Sequence, residues 1–69
     1  MSASVYPVRY EDKFGRPMQV IRLAVGPGQL ERLHLLIEEA GNKAFGNEWS
    51  RAVVVLGRRR LTVENGKAV

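Results

Sequence analysis

The chain has 69 residues, and its 11 Lys and Arg against 7 Asp and Glu give a net charge of +4. With 45% apolar and 26% charged residues it is too apolar for a disordered chain, and it contains no Cys, which excludes disulfides and thiolate metal sites. The chain contains no run of 18 apolar residues, so no membrane span is predicted. Residues 1–4 lack the basic region and the apolar segment of a secretory signal, so we expect a cytoplasmic protein.

The first predicted elements are two strands joined by a turn. Val5–Glu11 alternates between its two faces and is rich in β-branched and aromatic residues, which is typical of a strand. Because Pro7 lacks the N–H that a ladder needs, we expect this strand at an edge of the sheet. A turn over residues 12–17, with Gly15 free to adopt positive φ, leads to a second strand over Met18–Val25. The short connection predicts an antiparallel hairpin.

A helix is predicted next, from about Pro27 to Ala40. Proline is favoured in a first helical turn, and Gly41-Asn42 is a typical C-terminal cap. Leu35 falls away from the apolar stripe and is expected to be exposed. The stripe itself has helical spacing and consists of Leu30, Leu33, Leu36, Ile37 and Ala40.

Two further strands follow an irregular segment. In Arg51–Leu56 three consecutive valines favour a central strand covered on both faces. Gly57-Arg58 is suited to a two-residue turn with glycine first, after which Arg59–Glu64 forms the fourth strand. Trp49 precedes the third strand. It is either a core residue with its N–H bonded to a backbone carbonyl, or a partner-binding residue.

Residues 1–69 therefore predict a single small α+β domain of ββαββ order, with one helix packed on a four-stranded sheet that is mixed or antiparallel. The strand order stays open, because two hairpins about a helix can be joined in several ways. A chain of this size buries only about 60% of its unfolded surface and usually needs a further stabilising device. Since disulfides are impossible here, we expect a partner chain to supply this stabilisation, in the form of a homodimer.

Strand alternation sorts the arginines onto one side of this sheet. If the helix covers the face that holds Tyr6, Ile21 and Leu61, the opposite face displays arginines among valines. The arginines predicted on that face are Arg9, Arg22, Arg58 and Arg60, with Arg51 as a further candidate. Arginine is enriched in protein interfaces and apolar neighbours supply buried area, so this face is a candidate binding surface.

Three interpretations of this face remain open. It is a solvated surface whose arginine stems cover small apolar residues, a protein interface with a second copy or an acidic partner, or a nucleic-acid site. Arg58, Arg59 and Arg60 favour the third if they converge in an open turn, whereas in a strand Arg59 points away from the other two. The predicted inward tyrosines leave only Phe14 as an accessible aromatic for stacking, which weakens the nucleic-acid interpretation.

Catalytic and metal-binding patterns are poorly developed. Glu31, His34 and Glu38 share one helical stripe, but known sites of this kind draw ligands from several helices, and this chain has one. No serine lies in a nucleophile motif. We therefore expect no cofactor, no metal and no enzymatic activity.

The sequence predicts a non-enzymatic small binding protein, a regulator or inhibitor that docks on another macromolecule through an Arg/Val-rich sheet face. The alternative is a small basic protein that binds DNA or RNA with the same arginines on phosphates.

Overall fold

The computed structural model describes residues 3–66 and confirms the predicted ββαββ order. A short 3₁₀ turn precedes the helix. The elements in chain order are β1 (Ser4–Asp12), β2 (Ile21–Val25), the 3₁₀ turn (Leu30–Arg32), α1 (Leu33–Phe45), β3 (Trp49–Leu56) and β4 (Arg59–Glu64).

The four strands form one sheet in the order β2-β1-β3-β4, and every neighbouring pair is antiparallel. The antiparallel form is thus the correct one of the two sheet types that the sequence left open. β2 and β3 run in the same direction with β1 between them. The connection through α1 therefore carries the chain past β1 and leaves the helix on one side of the sheet.

The expectation of an edge position for the first strand is wrong, because β1 is an internal strand. Ser4–Val8 pair with β2, where Pro7 lies opposite Arg22, whereas the paired stretch with β3 begins at Arg9. Pro7 lies outside the stretch paired with β3. This position explains how an internal strand tolerates a residue without an N–H.

The hairpin between β1 and β2 is built around Asp12. Its carboxylate accepts the N–H groups of Phe14 and Arg16 at 2.8 and 2.9 Å, and Gly15 adopts the predicted positive φ, at 77°. β2 begins at Ile21, three residues later than predicted. Residues 17–20 instead follow an irregular path, in which Pro17 forms an isolated bridge with Glu11.

Both predicted ends of the helix are wrong. α1 starts at Leu33, so Leu30 belongs to the 3₁₀ turn and is exposed. At the other end Gly41 lies inside the helix, where the rings of the core approach it too closely for any side chain. The helix ends instead at Phe45 and is capped by Gly46, which has φ 61° and donates its N–H to the Asn42 carbonyl at 3.0 Å.

The core lies between α1 and the sheet. Tyr10 is at its centre, with ring centroids 5.3 Å from those of both Phe45 and Trp49, and its hydroxyl donates to the Ile37 carbonyl at 2.5 Å. Burial raises the pKa of Tyr10 to about 12, and a backbone hydrogen bond with Gly41 partly offsets this effect. The buried apolar side chains are Val8, Tyr10, Val25, Leu33, Ile37, Trp49, Ala52, Val54 and Val63.

A β-bulge in β3 changes the side of the sheet on which its first side chains lie. Glu11 pairs with Arg51 and Asp12 pairs with Trp49, so Ser50 is an extra residue in β3. The bulge turns Trp49 toward the helix and Arg51 to the other side of the sheet.

A search of residues 3–66 for a helix with the length and apolar character of a membrane span finds none.

Candidate functional site

The candidate site is the side of the sheet opposite α1, here called the open face. Its residues alternate along each strand with the buried core residues, and most of their side chains are exposed. The open face consists of Val5, Pro7, Arg9 and Glu11 of β1, Val20, Arg22 and Ala24 on and before β2, Arg51, Val53 and Val55 of β3, and Arg60, Thr62 and Glu64 of β4.

Cross-strand pairing sets an arginine beside an apolar residue at three places. Cβ atoms of directly opposed residues are about 4.5–5.5 Å apart, so each arginine stem can lie along its apolar neighbour. Four apolar residues, Arg9, Glu11 and Arg60 together line a shallow depression of about 550 Å³. The three pairs are Arg22 with Pro7, Arg9 with Val53, and Arg60 with Val55.

The charges of the open face are separated along the strands. Arg9, Arg22 and Arg60, here called the basic end, have no carboxylate within 4 Å among residues 3–66. At the other end Arg51 lies between its cross-strand partners Glu11 and Glu64, and its Nη1 is 3.9 Å from Glu11 Oε1. The basic end therefore presents three arginines without a close carboxylate, and two of them, Arg9 and Arg60, line the apolar depression.

The structure does not bring Arg58, Arg59 and Arg60 together on one face. Gly57 has φ 63° and forms the predicted two-residue turn with Arg58, so Arg58 lies in the turn and not on the open face. Arg59 pairs with Leu56, whose side of the sheet faces the helix, and only Arg60 reaches the open face. The arginine run is thus divided among three directions.

Trp49 belongs to the core. Its side chain has no exposed area, and its Nε1 donates to the Asn42 side-chain oxygen at 3.1 Å instead of to the predicted backbone carbonyl. The alternative role of Trp49 as a partner-binding residue is wrong for this structure, because the indole has no surface to offer.

The sequence-based prediction identifies only part of the apolar floor of the open face. It expects valines among the arginines, but it assigns Pro7 only to a strand edge and Val53–Val55 to a run buried on both faces. Val55 is 61% exposed, whereas Val54 is buried, so the prediction that β3 is covered on both faces is wrong. The signal that could have found the floor is the alternation about Ala52 and Val54, which sends Val53 and Val55 to the side of Arg9.

Neither an aromatic platform nor a metal site accompanies this surface. The accessible aromatic Phe14 lies in the β1–β2 turn and is 70% exposed, with Lys13 Nζ and the Arg16 guanidinium 5.3 and 5.4 Å from its ring centre. In the described part of the chain, no three His, Asp or Glu side chains are placed to hold a metal ion.

No protein-family model matches the chain, and no similar curated protein or solved structure was found.

Proposed function

We propose that this chain is a non-enzymatic binding protein of the cytoplasm, a regulator or inhibitor that docks through its open face on an acidic surface of another protein. The observation that carries the proposal is the basic end, whose three arginines have no carboxylate within 4 Å among residues 3–66. Arg9 and Arg60 line the apolar depression, and Arg22 lies opposite Pro7 at its margin. Interfaces are enriched in arginine, and apolar area between the charges favours burial against a partner.

The spacing of the basic end defines the partner's chemistry. Arg22 on β2 and Arg60 on β4 are separated by three strand spacings, or about 14 Å. Guanidinium groups bind carboxylates in a bidentate geometry. A complementary partner therefore carries carboxylates on opposite sides of an apolar patch of about this width.

The proposal is tested by reversing charge on each side of the molecule. Arg9→Glu with Arg22→Glu changes the open face, whereas Arg32→Glu with Lys43→Glu makes the same change in charge on the helix side. All four positions are exposed, so both double variants are expected to fold. Partners are captured from host lysate with each protein and quantified.

We expect a partner held by the wild type and by the helix-side variant to be lost from the open-face variant. Equal retention by both double variants would contradict docking through the open face.

The second candidate is a protein that binds DNA or RNA through the same arginines. It is favoured by the basic end, which has no carboxylate within 4 Å among residues 3–66, and by Arg58 in an exposed turn. It is disfavoured because the open face as defined here contains no aromatic residue. Titration with mixed-sequence DNA and RNA decides between the two. Affinity that falls steeply with salt and is lost in the open-face variant would replace the protein partner with nucleic acid.

A further inference from the structure

The free edge of β4 offers three residues to another strand. The turn at Gly57-Arg58 makes Leu56 and Arg59 a hydrogen-bonded pair, and such pairs alternate along an antiparallel ladder. Consistent with this alternation, Asn65 donates its backbone N–H back to Ser50 of β3 at 2.9 Å. The backbone groups of Arg60, Thr62 and Glu64 therefore point away from β3, toward the edge, where no strand of residues 3–66 pairs with them.

The charges at this edge are complementary to themselves. Arg60 and Glu64 lie two residues before and two residues after Thr62, on the same face of the sheet, and both are exposed. Neither forms an ion pair among residues 3–66. We propose that β4 pairs with β4 of a second copy of this chain across a two-fold axis at Thr62, joining the two sheets into one of eight strands.

One register satisfies both the hydrogen bonds and the charges. With Thr62 opposite its symmetry mate, Arg60 faces Glu64 of the other copy on each side of the axis. The three outward residues of each strand then exchange backbone hydrogen bonds. Shifting the pairing by one residue would mismatch faces and backbone groups. Centring it on Arg60 or on Glu64 would set like charges opposite each other.

The edge also lacks two of the usual protections against pairing, proline and a β-bulge. β4 contains no Pro, and its register with β3 is regular over all six residues. The opposite edge differs, because β2 carries the single charge Arg22 and has no register that pairs opposite charges in two copies. Charge complementarity thus selects β4.

This assembly has a consequence for the open face. A two-fold axis perpendicular to the sheet keeps both open faces on one side and both helices on the other. In the dimer Arg60 pairs with Glu64 of the second copy, so docking on a partner falls to Arg9 and Arg22. The dimer therefore presents two copies of the Arg9 and Arg22 region on one continuous surface. The pairing itself does not depend on the proposed docking function.

The test is a charge swap followed by sedimentation equilibrium between about 1 µM and 1 mM, a range suited to an interface smaller than a standard one. Arg60→Glu alone sets two carboxylates opposite each other on both sides of the axis and is expected to weaken the dimer at least about tenfold. Arg60→Glu combined with Glu64→Arg restores opposite charges and is expected to restore the dimer. Lys43→Glu on the helix is the control for charge and should leave the dimer unchanged.

A second variant addresses the backbone. Thr62→Pro removes an N–H that points away from β3, so it is expected to abolish the dimer while the monomer stays folded by circular dichroism. A wild-type monomer at all concentrations, or a dimer that survives both Arg60→Glu and Thr62→Pro, would overturn the β4 pairing. Failure of docking would appear differently, as partner capture that is insensitive to the Arg9 and Arg22 reversals in a protein that still dimerises.

Discussion

Gly41 of α1 and Trp49 of β3 are in such close contact that a Cβ atom on Gly41 would lie 2.7 Å from Trp49 Cε2 and 2.8 Å from its Nε1. The same atom would lie 2.6 Å from Tyr10 Cε2. This contact holds α1 close against the side of the sheet that carries Tyr10 and Trp49. The other side of the sheet is the open face.

The close contact predicts an unusual response to alanine in a helix. Alanine normally stabilises a helix by about 1 kcal/mol relative to glycine, but at Gly41 we expect overpacking to outweigh this gain and lower the free energy of unfolding by about 1–3 kcal/mol. Gly28→Ala, in the turn before the helix, is the control for adding a methyl group without a steric clash, since no atom outside its chain neighbours lies within 4 Å of the added Cβ. Chemical denaturation followed by circular dichroism measures both variants, and wild-type stability for Gly41→Ala would refute the contact.

The register of β3 is tested by two neighbouring valines. Val54 is buried and Val55 is on the open face. We expect Val54→Ala to lower the free energy of unfolding by about 2 kcal/mol through lost burial and a cavity, and Val55→Ala to lower it by less than about 1 kcal/mol. Equal effects, or the reverse order, in urea denaturation would show that the two faces are assigned incorrectly.

Tyr10 predicts a loss of stability at alkaline pH. Its pKa is raised to about 12 in the folded chain from about 10 when unfolded, so the unfolded state releases the proton first. This pKa difference contributes about 2–3 kcal/mol to the free energy of unfolding, a contribution that is fully present below pH 10 and is lost as pH rises through 12. Tyr10→Phe lacks this ionisation but loses the hydrogen bond to Ile37, which costs about 1 kcal/mol at neutral pH.

We therefore expect the stability difference between wild type and Tyr10→Phe to shrink, and then change sign, between about pH 9 and pH 12. Unfolding curves of both proteins at matched pH measure this difference. A difference that stays constant over the range would show that the hydroxyl ionises as in water.

Period-two alternation was sufficient to assign the faces of the strands, because each buried residue fixes the direction of its neighbours. From the sequence alone it predicted Tyr10 inward and Arg9, Arg22 and Arg60 outward. Predictions from local sequence patterns are wrong where contacts between residues distant in sequence determine the structure. Gly41 has the pattern of a helix cap, but it lies inside α1, where the rings of Tyr10 and Trp49 leave no space for a side chain.

The predictions for Pro7 and Arg58 are wrong for related reasons. The missing N–H of Pro7 indicates an edge strand, but β1 is an internal strand whose two halves pair with different neighbours, so Pro7 needs no partner in β3. Alternation placed Arg58 on the open face, yet the turn that it forms with Gly57 interrupts the alternation there. Partner exchange along a strand depends on long-range pairing, which no local pattern contains.

Site-specific photocrosslinking tests the docking role of the open face most directly. A photoreactive residue replaces Val55 on the open face in one variant and Leu35 on the helix side in another, since both positions are more than half exposed. If the chain docks through the open face, a protein partner crosslinks at position 55 but not at position 35, and the crosslink disappears when Arg9 and Arg22 are reversed to Glu. Crosslinking of that partner at position 35 with none at position 55 would contradict docking through this face.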